Sequence, residues 1–210
     1  MAACKALLPL DRTAAYNAGR LIGSCMHMPA LRIALNIAFE SYRVRWPAEA
    51  AHVDEFLDFL HSADGVFERR HAVGHFTGSA WLVSADGART LLTHHRKLDR
   101  WLQPGGHADG DVDLARVALR EAREETGVPA LRVEGGIFDI DRHRIPACGT
   151  EPEHWHYDVR HVVRAGADER YVVSDESHAL AWRPIADLVD DETLDASLRR
   201  MARKWLAISR

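Results

Sequence analysis

Three glutamates stand close together in the stretch ALREAREETGV, residues 118–128: Glu121, Glu124 and Glu125. On a helix, positions three and four apart share a face, so the three carboxylates converge. Glu121 and Glu125 are like charges one turn apart, which costs a few tenths of a kcal/mol. One reading is a solvated face balanced by arginine, with an Arg120–Glu124 pair worth about 0.3–0.5 kcal/mol. The other is a cation site. Hard divalent ions such as Mg²⁺ take oxygen ligands, often a few carboxylates with waters and substrate phosphates. Pro104, Gly105, Gly106 and Gly110 precede the helix and let the backbone turn sharply and approach a ligand closely. Asp111 or Asp113 can cap the helix. A glycine loop alone is a weak signal. Followed at fixed distance by Arg-Glu and then Glu-Glu, it favours the cation.

A second constellation is EHWHYDVRH, residues 153–161. In a strand, alternate residues share a face, which puts His154, His156, Asp158 and Arg160 on one side. Three readings stay open: a polar sheet face backed by Trp155, Tyr157 and Val159 in the core, contacts from the histidines and Arg160 to a substrate phosphate, or a zinc site. His94, His95, Arg96 and Lys97 form another cationic group near the glycine loop. It can meet phosphates or simply be solvated.

These groups need elements to position them. LARVALREAREET, residues 114–126, reads as a helix ending at Gly127. GSAWLVS and RTLLTHH, around the turn ADGA, are strand-like, as are LRVEGGIFDIDRHRI, HWHYDVRHVVRA and HALAWRPI. LQPGGHADGDVD, residues 102–113, reads as a loop, and DETLDASLRRMARKWLAI, residues 191–208, as a closing helix. AEAAHVDEFLDFLHSADG is a core-facing helix with Val53, Phe56, Leu57 and Leu60 at helical spacing. Pro29 stands where a first helical residue would, ahead of Leu31, Ala34, Leu35 and Ala38. Strands interrupted by one central helix and capped by another give an α/β class with a mixed sheet between helices. Residues 1–70 form a helical N-terminal extension, of which 1–47 carry the least pattern, poor order being one reading; the main domain runs over 76–208.

The stretch Gly106–Val128 resembles the Nudix box. That signature is Gly, five residues, Glu, seven residues, then Arg-Glu-apolar-any-Glu-Glu-any-Gly-apolar. Gly106, Arg120, Glu121, Ala122, Glu124, Glu125, Gly127 and Val128 match in register. The first Glu falls on Val112, flanked by Asp111 and Asp113. The resemblance implies a Nudix-type α/β/α sandwich over about 76–208. It implies Mg²⁺, with Mn²⁺ as a substitute, held by Glu121, Glu124, Glu125 and the Gly105 carbonyl, with Arg120 orienting the glutamates. The implied reaction is hydrolysis of a nucleoside diphosphate linked to another group. Mg²⁺ neutralises phosphoryl oxygens and lowers the pKa of a water, and a carboxylate takes the proton. Glu124, Glu125 and, from the loop SDES, Glu176 are candidates for that base, with Glu176 held for it and the other two as ligands. His95, Arg96, His154, His156 and Arg160 are candidate substrate contacts. The loops HRIPACGTEPEH and AGADERYVVSDES are long and polar, which suits specificity walls.

Two other functions compete. Val112 favours a catalytically weak nucleotide-binding or regulatory module, and the intact glutamate set opposes it. Isomerase chemistry on a prenyl diphosphate needs a cysteine in the cleft, and within 76–208 only Cys148 is available. The formal charge of −4 and pI near 6.3 do not suit a duplex-binding protein. Three scattered cysteines argue against a disulfide framework and for a cytoplasmic chain. No apolar run reaches a membrane span. The expected partner is a small phosphorylated substrate, and homodimers are common in the superfold.

Overall fold

The computed structural model describes residues 14–149, 151–175 and 177–209. Glu176 and Cys4 lie outside the described residues. The architecture is a mixed β-sheet between helices, preceded by a helical N-terminal segment.

The centre of the sheet is β1 (Gly74–Val83), buried along its whole length. It pairs in parallel with β6 (His154–Arg164), from Gly74↔Trp155 to Val83↔Arg164. It pairs antiparallel with β2 (Arg89–His95) and with β4 (Gly105–His107). β3 (Arg100–Leu102) and β7 (Ser177–Pro184) flank β2, and β5 (Arg132–Ile145) flanks β6. Strand alternation divides β1 between two layers. Ala80 and Leu82 meet Ala118 and Ala122 of α3 (Leu114–Thr126). Trp81 and Val83 meet Leu188 of α4 (Ile185–Leu188) and Leu198, Met201 and Trp205 of α5 (Ala196–Ile208).

Gly78 explains how closely α3 lies on β1. A Cβ there would stand 2.8 Å from Val117 Cγ1 and 2.9 Å from the Leu114 carbonyl oxygen. The helix begins at Asp113, whose side chain accepts from the Arg116 N–H, and ends at Gly127 in the left-handed region, with φ of 63°. Both ends are where the sequence places them.

Several boundaries differ. Residues 105–107 of the expected loop form β4, because their backbone groups find partners on Thr77, Gly78 and Ser79. The C-terminal helix starts at Ala196 instead of 191, because Asp195 caps it by accepting from the Ser197 N–H. Pro29 lies inside α1 (Ala14–Arg45), not at its start. A proline there removes one backbone hydrogen bond, and the alanine- and leucine-rich flanks carry the helix past it.

The N-terminal helices are part of the core. Leu35, Phe39 and Tyr42 of α1 and Val53, Phe56, Phe59 and Leu60 of α2 (Ala50–Ser62) share one apolar cluster with Phe76, Val117, Ile140 and Tyr157. Phe59 stacks on Tyr157 at 3.8 Å between ring centroids. Val112 belongs to this cluster and is 3% exposed.

Candidate active site

The carboxylate helix faces the glycine strand. Glu125 Oε1 accepts from the Gly105 N–H at 2.7 Å. Glu121 lies so near β4 that a Cβ at Gly106 would stand 2.5 Å from its Oε2. Gly105 has no room for a side chain either: a Cβ there would be 2.1 Å from Ser79 Oγ. Glycine at 106 therefore lets Glu121 lie directly against the backbone of β4, and glycine at 105 makes room for Ser79 of β1. Arg120 donates to Glu121 Oε1 at 2.7 Å and to the His107 carbonyl at 2.8 Å, which ties α3 to β4. Its ion pair is with Glu121, not with Glu124 as helix spacing alone suggests. Burial pushes the Glu121 carboxyl up, against the opposing pull of Arg120. Glu124 is exposed on the same helix. An all-oxygen set of three carboxylates beside the Gly105 backbone suits a hard divalent cation.

Behind this face lies a buried ionic network. Asp158 accepts from Thr77 Oγ1 at 3.0 Å, Ser79 Oγ at 2.8 Å and Arg160 Nε at 2.7 Å. The Arg160 guanidinium also donates to Asp139 at 3.1 Å and Asp141 at 3.2 Å, and Arg160 is only 2% exposed. Arg200 bonds the same two aspartates. Lys204 reaches Asp139 at 2.6 Å, Tyr42 at 2.6 Å and Glu49 at 2.9 Å, joining α5 to the N-terminal segment. Burial alone would raise the Asp139 carboxyl, but Arg200, Arg160 and Lys204 hold it below the ordinary range. The network occupies Arg160 with carboxylates rather than leaving it open to a phosphate.

The other expected contacts fall in two places. His95 and Arg96 lie at the turn from β2 to β3. The backbone N–H groups of Lys97 and Leu98 donate to His95 Nδ1, and exposed Arg96 donates to the Ser177 carbonyl at 3.0 Å. His154 and His156 project from β6 beside His75, His107 and His143. The sequence reading missed these three and the Asp139–Asp141 pair. The alternation Asp139, Asp141, His143 was there to be seen, but only the pairing His143↔His156 and His75↔His156 shows that these strands lie side by side.

Comparison with known proteins agrees with this geometry. The family model described as "NUDIX domain" matches residues 74–205. A protein named "Putative 8-oxo-dGTP diphosphatase 3", from Mycobacterium tuberculosis strains CDC 1551 and H37Rv, is 32% identical over 124 residues. That match covers 55% of this chain and 55% of the relative, so the chain spans about half the length of the curated relatives it matches. Among solved structures, the binary complex of a C. elegans Ap4A hydrolase superposes with a TM-score of 0.50 at 18% identity. It covers 64% of this chain and 96% of that one, and shows a shared fold. The chain belongs to the NUDIX family.

Proposed function

We propose that this protein hydrolyses the pyrophosphate bond of a nucleoside diphosphate linked to another group, with a divalent metal ion held by Glu121, Glu124, Glu125 and the Gly105 carbonyl. The observation that carries the reading is the pair Glu121 and Glu125 lying on a glycine strand with no side chain between carboxylate and backbone. Mg²⁺ bound there supplies charge neutralisation for the phosphoryl oxygens and acidifies the attacking water. The chain's own groups do the rest. Arg120 fixes the Glu121 rotamer through two donors to Oε1. The Gly105 N–H fixes Glu125. Glu124, the exposed member of the three, is assigned to the substrate side. Glu176, outside the described residues, is assigned proton removal from the water. His95, Arg96, His154 and His156 are assigned to the substrate side, while Arg160 positions Asp158 and the sheet rather than binding phosphate.

The 32% relative supports a nucleotide as the leaving portion. The regulatory reading loses its motive in the packing of Val112, whose apolar side chain serves the cluster shared with α1 and α2. No described helix is long and apolar enough to cross a membrane. The test is product release from ADP-ribose, sugar nucleotides, dinucleoside polyphosphates and nucleoside triphosphates, each with Mg²⁺ and with EDTA. Metal-dependent cleavage of one class is expected. A folded chain with no turnover on any class would overturn the proposal.

A further inference from the structure

Three histidines from two strands meet at one end of the sheet. His75 of β1 and His156 of β6 are register partners in the parallel pair, and His154 precedes them by one alternation on the same face. One ring nitrogen from each of the three lies within 4.8 Å of the other two. His154 Nε2 and His156 Nε2 are 3.3 Å apart. Nitrogens bound at about 2.0–2.1 Å to a tetrahedral ion stand roughly 3.3 Å from each other. The spacing of the pair is therefore that of two ligands on one tetrahedral ion.

Two further observations point to a ligand. His75 is 1% exposed, and among the described residues neither of its ring nitrogens has a hydrogen-bond partner. Leaving such a group buried and unpaired is costly, and a metal bond would offset it. His154 Nδ1 contacts the Pro152 carbonyl at 2.8 Å. A carbonyl only accepts, so Nδ1 carries the proton and Nε2 presents a lone pair toward His156. That backbone contact is the outer support common to metal-bound imidazoles. A cavity of about 390 Å³, lined by Arg69, Arg70, His71 and His154 among others, opens beside the third ring and leaves room for a fourth ligand.

We propose that His75, His154 and His156 form a second metal site, separate from the carboxylate face and selective for a borderline transition ion such as Zn²⁺ over Mg²⁺. The ligand sets divide the ions. Three imidazoles suit Zn²⁺, and an all-oxygen face suits Mg²⁺. The cavity beside His154 is lined by Arg69 and Arg70 and by Glu151, which pairs with Arg69 at 2.8 Å. Its ligands include none of the glutamates, but His154 and His156 are also the residues assigned to the substrate side, so the site is tested by metal binding and not by turnover.

The experiment is Co²⁺ titration of the full-length, untagged chain in excess Mg²⁺, followed by visible absorption and then by displacement with Zn²⁺. One Co²⁺ per chain with a tetrahedral spectrum is expected, retained in Glu124→Gln. Binding should weaken by more than about tenfold in His154→Ala and in His156→Ala. His154 is half-buried, so His154→Ala is the variant expected to keep the fold, checked by near-UV circular dichroism. Zn²⁺ should also raise the Tm of the parent in excess Mg²⁺ but not that of His154→Ala. No tetrahedral spectrum, no Zn²⁺ effect on the parent Tm, or binding lost in Glu124→Gln and kept in the histidine variants would each overturn the proposal.

Discussion

Restoring the family's glutamate at position 112 should damage this protein rather than improve it. Val112 is 3% exposed and sits in the apolar cluster with Phe67, Phe76, Leu114 and Val117. A carboxylate placed there has to lose its charge or its solvent. Protonating a glutamate at pH 7, against an ordinary pKa of about 4.3, costs about 3.7 kcal/mol at 1.36 kcal/mol per unit. The added length costs about 1–3 kcal/mol more in a filled core. Val112→Glu is therefore expected to lose about 5–7 kcal/mol at pH 7, a large share of the roughly 5–15 kcal/mol that holds a domain together. At pH 5 the protonation part falls to about 1 kcal/mol. Urea unfolding at both pH values should show the variant's deficit shrinking by about 3 kcal/mol at pH 5. Val112→Gln, which has the same shape and no titration, should show no such change. A Val112→Glu variant within about 1 kcal/mol of the parent at pH 7, with no pH-dependent deficit, would refute the core assignment of this position.

Three more perturbations separate the parts of the molecule. Lys204→Met leaves Asp139 and Glu49 without a shared cation, and should cost about 3–5 kcal/mol in chemical denaturation. Gly106→Ala pushes a Cβ to 2.5 Å from Glu121 Oε2. It should raise the Mg²⁺ concentration needed for half-maximal turnover at least about tenfold, with the Tm little changed. His161 is 6% exposed, and burial holds it down to about 4 against an ordinary 6.5. As pH falls below about 6.5 the unfolded chain takes up that proton first, so this contribution is present above 6.5 and lost toward pH 4. The loss reaches about 3 kcal/mol at most, and His161→Gln should flatten the Tm profile of the parent over that window.

The carboxylate site was largely legible in the sequence because its parts are local. The cap at Asp113, the glutamate spacing and the stop at Gly127 lie within fifteen residues or so, and helical periodicity fixes their relative directions. The β-runs were legible for the same reason, from alternation in RTLLTHH and HWHYDVRHVVRA. What the sequence hid depends on pairing between distant segments. Gly105–His107 reads as loop until its partners at Thr77–Ser79 are known. The ring group around His156 draws on β1, β4, β5 and β6, and only strand order brings them together. The readings of Arg160 stayed open because Asp139 and Asp141, which also accept from it, lie 21 and 19 residues away. The second N-terminal helix reads as core-facing, but its periodicity says which face is apolar and not what that face meets. The structure sets that face against Phe76 and Tyr157, and the same cluster gives Val112 its reason.

The central claim is that the α3 carboxylates, lying on the glycine strand, hold the metal ion that drives cleavage of a pyrophosphate bond. The most direct measurement is turnover of the best substrate as a function of Mg²⁺, for the parent and for Glu124→Gln and Glu125→Gln. The account expects turnover that is abolished by EDTA, restored by Mg²⁺, and reduced at least about a hundredfold in kcat in each variant with the fold intact. Metal-independent turnover, or full turnover in both variants, would contradict it.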